Sequence, residues 1–125
     1  MANVAFVVAV VLHDTDHYRQ ARGIGALTPE VRASGTVVAL IVVAGLALTL
    51  FRHPQAPRVA TFIGFGAAVG VILAHLAPHW SAFSDPYWPL HLDAYSWSVM
   101  LAEIVTGLVL GIVSLQASHV REVRR

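Results

Sequence analysis

The chain has 125 residues, of which 57% are hydrophobic and only 12% are charged, and its formal net charge at pH 7 is +1. Soluble domains carry about 25% charged residues, and a core of this size cannot hide so large an apolar fraction from water. The composition therefore argues against a soluble globular enzyme and predicts a membrane protein. The small charge and the lack of a basic stripe argue against a nucleic-acid partner. Because the chain has no cysteine, disulfides, thiolate zinc sites and cysteine nucleophiles are excluded.

The first predicted helix covers residues 2–22 and has two unlike halves. Its first half is apolar, and the run from His13 to Gln20 (His-Asp-Thr-Asp-His-Tyr-Arg-Gln) follows directly. No basic region precedes the apolar stretch and no small-x-small site follows it, which argues against a cleaved signal peptide. We therefore predict an uncleaved helix whose polar half lies at membrane depth or at the interface.

Three longer apolar runs predict three further helices, at residues 29–52, 58–77 and 95–116. Thr28 is a suitable N-cap for the second helix, with proline at its first position. Pro78 ends the third helix, and Asp93 or Ser96 can cap the fourth. Each run is close to the ~20 residues that cross ~30 Å of hydrocarbon. The sequence thus predicts an all-α integral-membrane four-helix bundle that forms a single domain, residues 1–125, surrounded by the lipid bilayer.

The arginines predict the orientation of the bundle. Arg52 and Arg58 lie in the loop after the second helix, whereas the loop of residues 78–96 has no arginine. The C-terminal tail adds Arg121, Arg124 and Arg125. By the positive-inside rule, these positions predict a multi-pass protein of the inner (plasma) membrane with both termini in the cytoplasm. Aromatic residues near the opposite face predict an outer interfacial belt: Trp80, Phe83, Tyr87, Trp88, Tyr95 and Trp97.

Histidines converge at one end of the predicted bundle. Because four spans alternate in direction, the second half of helix 1, the end of helix 3 and the loop after it meet at the same end. Five of the seven histidines fall there: His13, His17, His75, His79 and His91. At about 100° per residue, His13, Asp16 and His17 form one stripe of helix 1. A His-x-x-x-His pair on one helical face can chelate a single metal ion. His75 and His79 repeat this spacing, but Pro78 interrupts the helix between them.

Glu103 lies two turns inside the fourth helix, on a face that also carries small residues such as Gly107 and Gly111. An ionisable group within a span costs about 2.5 kcal/mol or more unless it is paired, which makes it a candidate for function. The glycines of this face suit close contact with another helix.

These residues together predict a transition-metal site in the outer third of the bundle. We expect imidazole ligands from His13, His17 and His75, a carboxylate from Glu103 or Asp16, and His79 as a further ligand. Nitrogen and oxygen donors without a thiolate favour zinc, iron or Cu(II). If one metal position is open to water, a free carboxylate, again Glu103 or Asp16, can act as the base of a membrane-embedded metal-dependent hydrolase.

Other interpretations fit the same residues and leave both an enzymatic and a non-enzymatic role open. Haem b can be held between histidines of helices 1 and 3. The polar end can instead be a docking surface of an accessory subunit in a larger membrane complex or a homo-oligomer. In a purely structural interpretation, the side chains of His13 and His17 face water at the end of a short helix, while Asp14 and Asp16 form ion pairs with nearby arginines. His75 and a hydrogen-bonded Glu103 are then core residues.

Three segments carry a resemblance to a known group of proteins: residues 13–20, the run from His75 to Trp80 (His-Leu-Ala-Pro-His-Trp) and the run from Ser84 to Tyr87 (Ser-Asp-Pro-Tyr). Together they resemble small uncharacterised four-helix integral-membrane proteins of GC-rich bacteria, with the pattern His-Asp-x-Asp-His-x-Arg-Gln. The resemblance covers most of the chain and implies the four-helix membrane fold. It implies no activity.

Overall fold

A computed structural model describes residues 1–21 and 28–123, and within them the chain is entirely helical, with no strand. The four α-helices are α1 (Ala2–Ala21), α2 (Pro29–Leu50), α3 (Ala56–Val71) and α4 (Ala94–Val123). A π-helical turn, Ile72–Leu76, continues α3, and a short 3-10 turn, Trp88–Leu90, lies in the loop before α4. The predicted all-α four-helix architecture is confirmed.

The helix ends agree with the predicted spans to within a few residues, except that α4 continues to Val123. Thr28 caps α2, because its side-chain oxygen accepts a hydrogen bond from the Val31 amide at 3.3 Å. Three helical segments are long and apolar enough to cross a membrane: Pro29–Leu50, Ala56–Leu76 and Ala94–Val120. The polar half of α1 keeps that helix out of this set. The predicted end of helix 1 at Arg22 lies outside the described residues, as do Arg124, Arg125 and the side chain of Arg121.

Helix α4 packs against both α3 and α1. Its contact with α3 is a backbone contact: a Cβ atom added at Gly64 would lie 2.5 Å from the Gly107 carbonyl oxygen and 2.6 Å from the Gly111 nitrogen. The glycines of α4 therefore form the close helix–helix contact that their shared face predicts.

The two ends of the bundle have different cores. We call the end that holds the loop of residues 77–93 the outer end, and the end that holds residues 51–55 the inner end. Towards the inner end, a wholly apolar cluster joins all four helices: Phe6, Val10, Val42, Ala60 and Leu110. Towards the outer end, Ala68, Met100 and Ile104 surround the ring of Tyr87.

Tyr87 corrects the predicted aromatic belt. Its side chain is only 1% exposed and packs inside the outer core, whereas Trp80, Phe83 and Trp88 are exposed as predicted. The loop bends inward at this residue, because the Tyr87 amide donates a hydrogen bond to the His75 carbonyl oxygen at 3.0 Å. Tyr87 thereby becomes part of the polar site rather than of the surface.

Candidate metal centre

Three histidines meet near the outer end of the bundle. His13 and His17 lie one turn apart on α1, and His75 lies on the π-helical turn after α3. One ring nitrogen from each can be chosen so that the three lie within 4.8 Å of one another. The ring centroids are 4.8, 5.0 and 5.1 Å apart, and all three side chains are buried. We call these three residues the histidine triad. Their spacing is compatible with one shared metal ion.

The π-helical turn brings His75 into the triad. The Ala77 amide donates to the Ile72 carbonyl at 3.1 Å, which widens this turn, and π-turns in α-helices are often found at functional sites. The Nδ1 atom of His75 lies 2.8 Å from the Asp85 carbonyl oxygen. A carbonyl oxygen only accepts hydrogen bonds, so Nδ1 carries the proton in this contact. The Nε2 atom of His75 is then left with a lone pair for a ligand.

His13 is held from two sides. Its Nδ1 atom lies 2.6 Å from Oε2 of Glu103 on α4, and its Nε2 atom lies 3.0 Å from the hydroxyl oxygen of Tyr87. In the tautomer with the proton on Nδ1, Nδ1–H donates to Glu103 and Nε2 accepts a hydrogen bond from the Tyr87 hydroxyl. Burial raises the pKa of Tyr87 above its ordinary value, which keeps this hydroxyl protonated. A carboxylate behind an imidazole is the usual support of a metal-ligating histidine.

His17 carries an orphaned nitrogen. Its Nδ1 atom has no hydrogen-bond partner, the one such buried side-chain nitrogen or oxygen in the described part of the chain. It lies 3.7 Å from Oδ2 of Asp85, which is beyond hydrogen-bond distance. A buried polar atom left without a partner costs about 1–3 kcal/mol, and such groups in a folded protein call for an explanation such as a bound ion.

Two predicted ligands lie apart from the triad. Asp16 accepts hydrogen bonds from Arg19 Nε and Gln20 Nε2, both at 2.6 Å. His79 is exposed, and its nearest polar contact is the Ser84 hydroxyl at 3.5 Å. Glu103 contacts the triad through its hydrogen bond to His13. The purely structural interpretation expects such a buried, hydrogen-bonded Glu103. The same interpretation expects Asp16 to pair with a nearby arginine, and Asp16 does form an ion pair with Arg19. His13 and His17, however, are buried rather than exposed to water.

Arg19 joins the outer end of α1 to the start of α4. Its two Nη atoms each lie 2.9 Å from an oxygen of Asp93, and Asp93 also accepts from the Ser96 amide at 3.0 Å as the N-cap of α4. The guanidinium of Arg19 lowers the pKa of Asp93 to about 2. This contact fixes α1 against α4 beside the triad, and sequence reasoning did not identify it.

The triad opens into a cleft between α1, α2 and α3, with a volume of about 660 Å³. Besides the three histidines, the polar end of the cleft includes the side chains of Asp14, Asp85 and Glu103. The triad is therefore buried but has a route for a ligand.

Comparisons with known proteins add no functional assignment: no family model, no curated protein and no solved structure matches the chain. The resemblance carried by the His-Asp pattern of α1 therefore stays a prediction. Any function has to be inferred from the arrangement of side chains described above.

Proposed function

We propose that the protein is a membrane-embedded four-helix bundle that binds one transition-metal ion through His13, His17 and His75. The observation that carries the proposal is a buried triad of imidazoles in which one nitrogen, Nδ1 of His17, has no hydrogen-bond partner. A metal ion would satisfy that atom. Three nitrogen donors with no thiolate favour zinc, iron or Cu(II).

The surroundings of the triad suit metal ligation. The Nδ1 atoms of His13 and His75 bond to Glu103 and to the Asp85 carbonyl, so His75 offers a free Nε2, and His13 would offer its Nε2 in exchange for the hydrogen bond from the Tyr87 hydroxyl. Such outer contacts fix the tautomer and the ring orientation of metal-bound histidines. Glu103 is thus proposed as a positioning residue for His13 rather than as a direct ligand.

The proposed chemistry is metal-dependent hydrolysis. Three protein ligands leave a fourth position open, as in catalytic zinc sites. A metal ion held by the three histidines would supply a Lewis acid and would lower the pKa of a bound water. Of the two carboxylates predicted as the base, Glu103 lines the cleft, whereas Asp16 does not and is held by Arg19 and Gln20.

The membrane setting is part of the proposal. Three helical segments have the length and hydropathy of membrane spans. Arg52 and Arg58 lie at the inner end, opposite the triad, and by the positive-inside rule this supports a cytoplasmic inner end. We propose a multi-pass protein of the inner (plasma) membrane, with cytoplasmic termini and the triad in the outer third. Reporter fusions after Arg58 and at Asp85 should give cytoplasmic and external signals, respectively, and the reverse pattern would overturn the orientation.

Non-haem metal is favoured over haem b by the ring contacts. The rings of His13 and His75 touch edge to face, with centroids 5.0 Å apart. This contact leaves no gap for a porphyrin plane between a helix 1 histidine and a helix 3 histidine. A Soret band in the purified protein would overturn this preference.

Metal analysis tests the proposal. The detergent-purified protein should contain about one zinc, iron or copper ion per chain. His13→Ala, His17→Ala and His75→Ala should each lose most of the ion, because two imidazoles cannot replace three. His79→Ala is the matched control, since it removes an exposed histidine outside the triad, and should keep the wild-type content. A wild-type protein without metal, or four variants with equal content, would overturn the proposal. If the purified protein contains no metal and a partner protein purifies with it, the result would instead favour the role of an accessory subunit in a larger complex.

A further inference from the structure

The cleft beside the triad is lined by α2, by α3 and by the polar half of α1. At the inner end α2 is held closely: Val42 belongs to the apolar core, and Asn3 Nδ2 contacts Thr49 Oγ1 at 3.4 Å. Val42 and Gly45 are the buried residues of α2. Nearer the outer end, residues of α2 such as Val38 and Ser34 line the cleft.

The walls of the cleft are apolar over most of their length. They are formed mainly by the two spans α2 and α3: Val38, Ile41, Phe62, Ile63, Ala67 and Val71. Gly66 and Gly70 of α3 also line it, and a Cβ atom added at either glycine would meet nothing within 4 Å. A polar solute against these walls would lose hydrogen bonds to water without replacement. A hydrocarbon chain would lose none.

The polar end of the same cleft points to a ligand independently of the walls. His17 lines the cleft, is nine-tenths buried and has an Nδ1 atom without a partner. The cleft therefore has two chemically distinct parts, an apolar channel and a nitrogen-rich end. Its volume of about 660 Å³ is in the range of pockets that hold one small molecule, about 300–1,000 Å³.

We propose that this cleft binds a membrane amphiphile, with its hydrocarbon chain between α2 and α3 and an oxygen donor of its head group at the triad. This inference rests on the proposed metal site and names the substrate class of that site. Because α2 and α3 are both segments long enough to span the bilayer, the chain would enter sideways from the hydrocarbon region. A water-soluble substrate would not need the apolar channel.

A pair of metal-binding probes of different chain length tests the inference. The protein is loaded with Co²⁺ in detergent, and its visible absorption is followed as dodecanohydroxamic acid or acetohydroxamic acid is added. Both probes have the same metal-binding head, but only the first has a chain. Gly66→Leu/Gly70→Leu is designed to fill the channel, since the added side chains enter open space. Val69→Leu is the matched control, because Val69 is 53% exposed and does not line the cleft.

The filled variant should bind as much Co²⁺ as wild type and acetohydroxamic acid equally well. Its affinity for dodecanohydroxamic acid should fall by about tenfold or more, because the leucines occupy the space of the chain. Val69→Leu should match wild type with both probes. Because each probe partitions into the micelles equally in all samples, a difference between variants reports binding to the protein. Equal binding of the long probe by the filled variant would overturn the amphiphile site while leaving the metal site intact. A wild-type protein that takes up no Co²⁺ would overturn both.

Discussion

The inner and outer halves of the bundle are held together by different interactions. The inner half is closed by apolar side chains and by the backbone contact of Gly64 with Gly107 and Gly111. The outer half has an apolar cluster around Tyr87 and adds to it a polar network, an orphaned histidine nitrogen and an open cleft. Buried polar groups contribute little net stability and cost much when unpaired. The comparison teaches that both halves have an apolar core, whereas the outer half also holds a polar arrangement that a bound ligand would complete.

The largest effect is expected from breaking the inner half. Gly64→Leu places a side chain against the backbone of α4, where neither glycine can move without separating the helices. We expect a loss of about 3 kcal/mol or more in the free energy of unfolding, measured by thermal or denaturant unfolding in detergent. Gly66→Leu, two residues away but facing open space, is the control and should unfold as wild type does. Equal unfolding of both variants would mean that α3 and α4 are not in backbone contact.

The next prediction concerns the metal affinity of the outer half rather than the free energy of unfolding. Glu103→Gln keeps the shape of the side chain but weakens its hold on Nδ1 of His13, so metal affinity should fall about 10–100-fold. Competition with a chelator measures this change. Glu30→Gln alters an exposed carboxylate of α2 and should leave the affinity unchanged. The double variant with His13→Asn should cost much less than the sum of the single variants, because the two residues are in contact. Costs additive within about 0.5 kcal/mol would contradict that coupling.

The Tyr87→Phe variant tests whether Nε2 is the nitrogen of His13 that binds the metal. The Tyr87 hydroxyl donates to Nε2, the lone pair that a metal would take. Removing a competing hydrogen bond of about 0.5–1.5 kcal/mol should tighten metal binding about twofold to tenfold, by the same chelator competition. Tyr95→Phe, at an exposed tyrosine, is the control. Weaker binding in Tyr87→Phe would show instead that the hydroxyl belongs to the ligand set.

The smallest effect concerns the link between Arg19 and Asp93. Arg19 lowers the pKa of Asp93 to about 2, from an ordinary value of 3.8. Because the folded-state pKa is the lower one, the pair stabilises the protein fully above pH 3.8 and loses this contribution as the pH falls to about 2. Asp93→Asn should therefore have a slightly lower Tm than wild type at pH 6, with a difference that shrinks below pH 4. A difference independent of pH would mean that the ion pair is not its source.

Much of the fold could be predicted from the sequence because the signals are local. Apolar runs separated by prolines predict four helices, and Thr28 before Pro29 marks the start of α2. The alternation of spans brings His75 to the level of His13 and His17 without any knowledge of packing. The glycines of α4 predict a close contact, although the partner, Gly64, could not be identified from the sequence.

The rest depends on contacts between distant residues. The sequence does not distinguish a tyrosine that lies at the membrane interface from one that folds inward, so Tyr87 was assigned to the aromatic belt. Asp16 lies on the predicted stripe of α1, but Arg19 and Gln20 hold its carboxylate. The cleft depends on how α1, α2 and α3 pack together, and no sequence pattern in α2 indicates it.

X-ray absorption at the zinc edge of the Zn²⁺-loaded protein tests the central claim most directly. We expect a first shell with three imidazole nitrogens at about 2.0–2.1 Å and one further light ligand. The His17→Ala variant should lose one imidazole from the shell, and His79→Ala should leave it unchanged. A shell of oxygen atoms with no imidazole scattering, or a shell identical in wild type and His17→Ala, would contradict the metal centre.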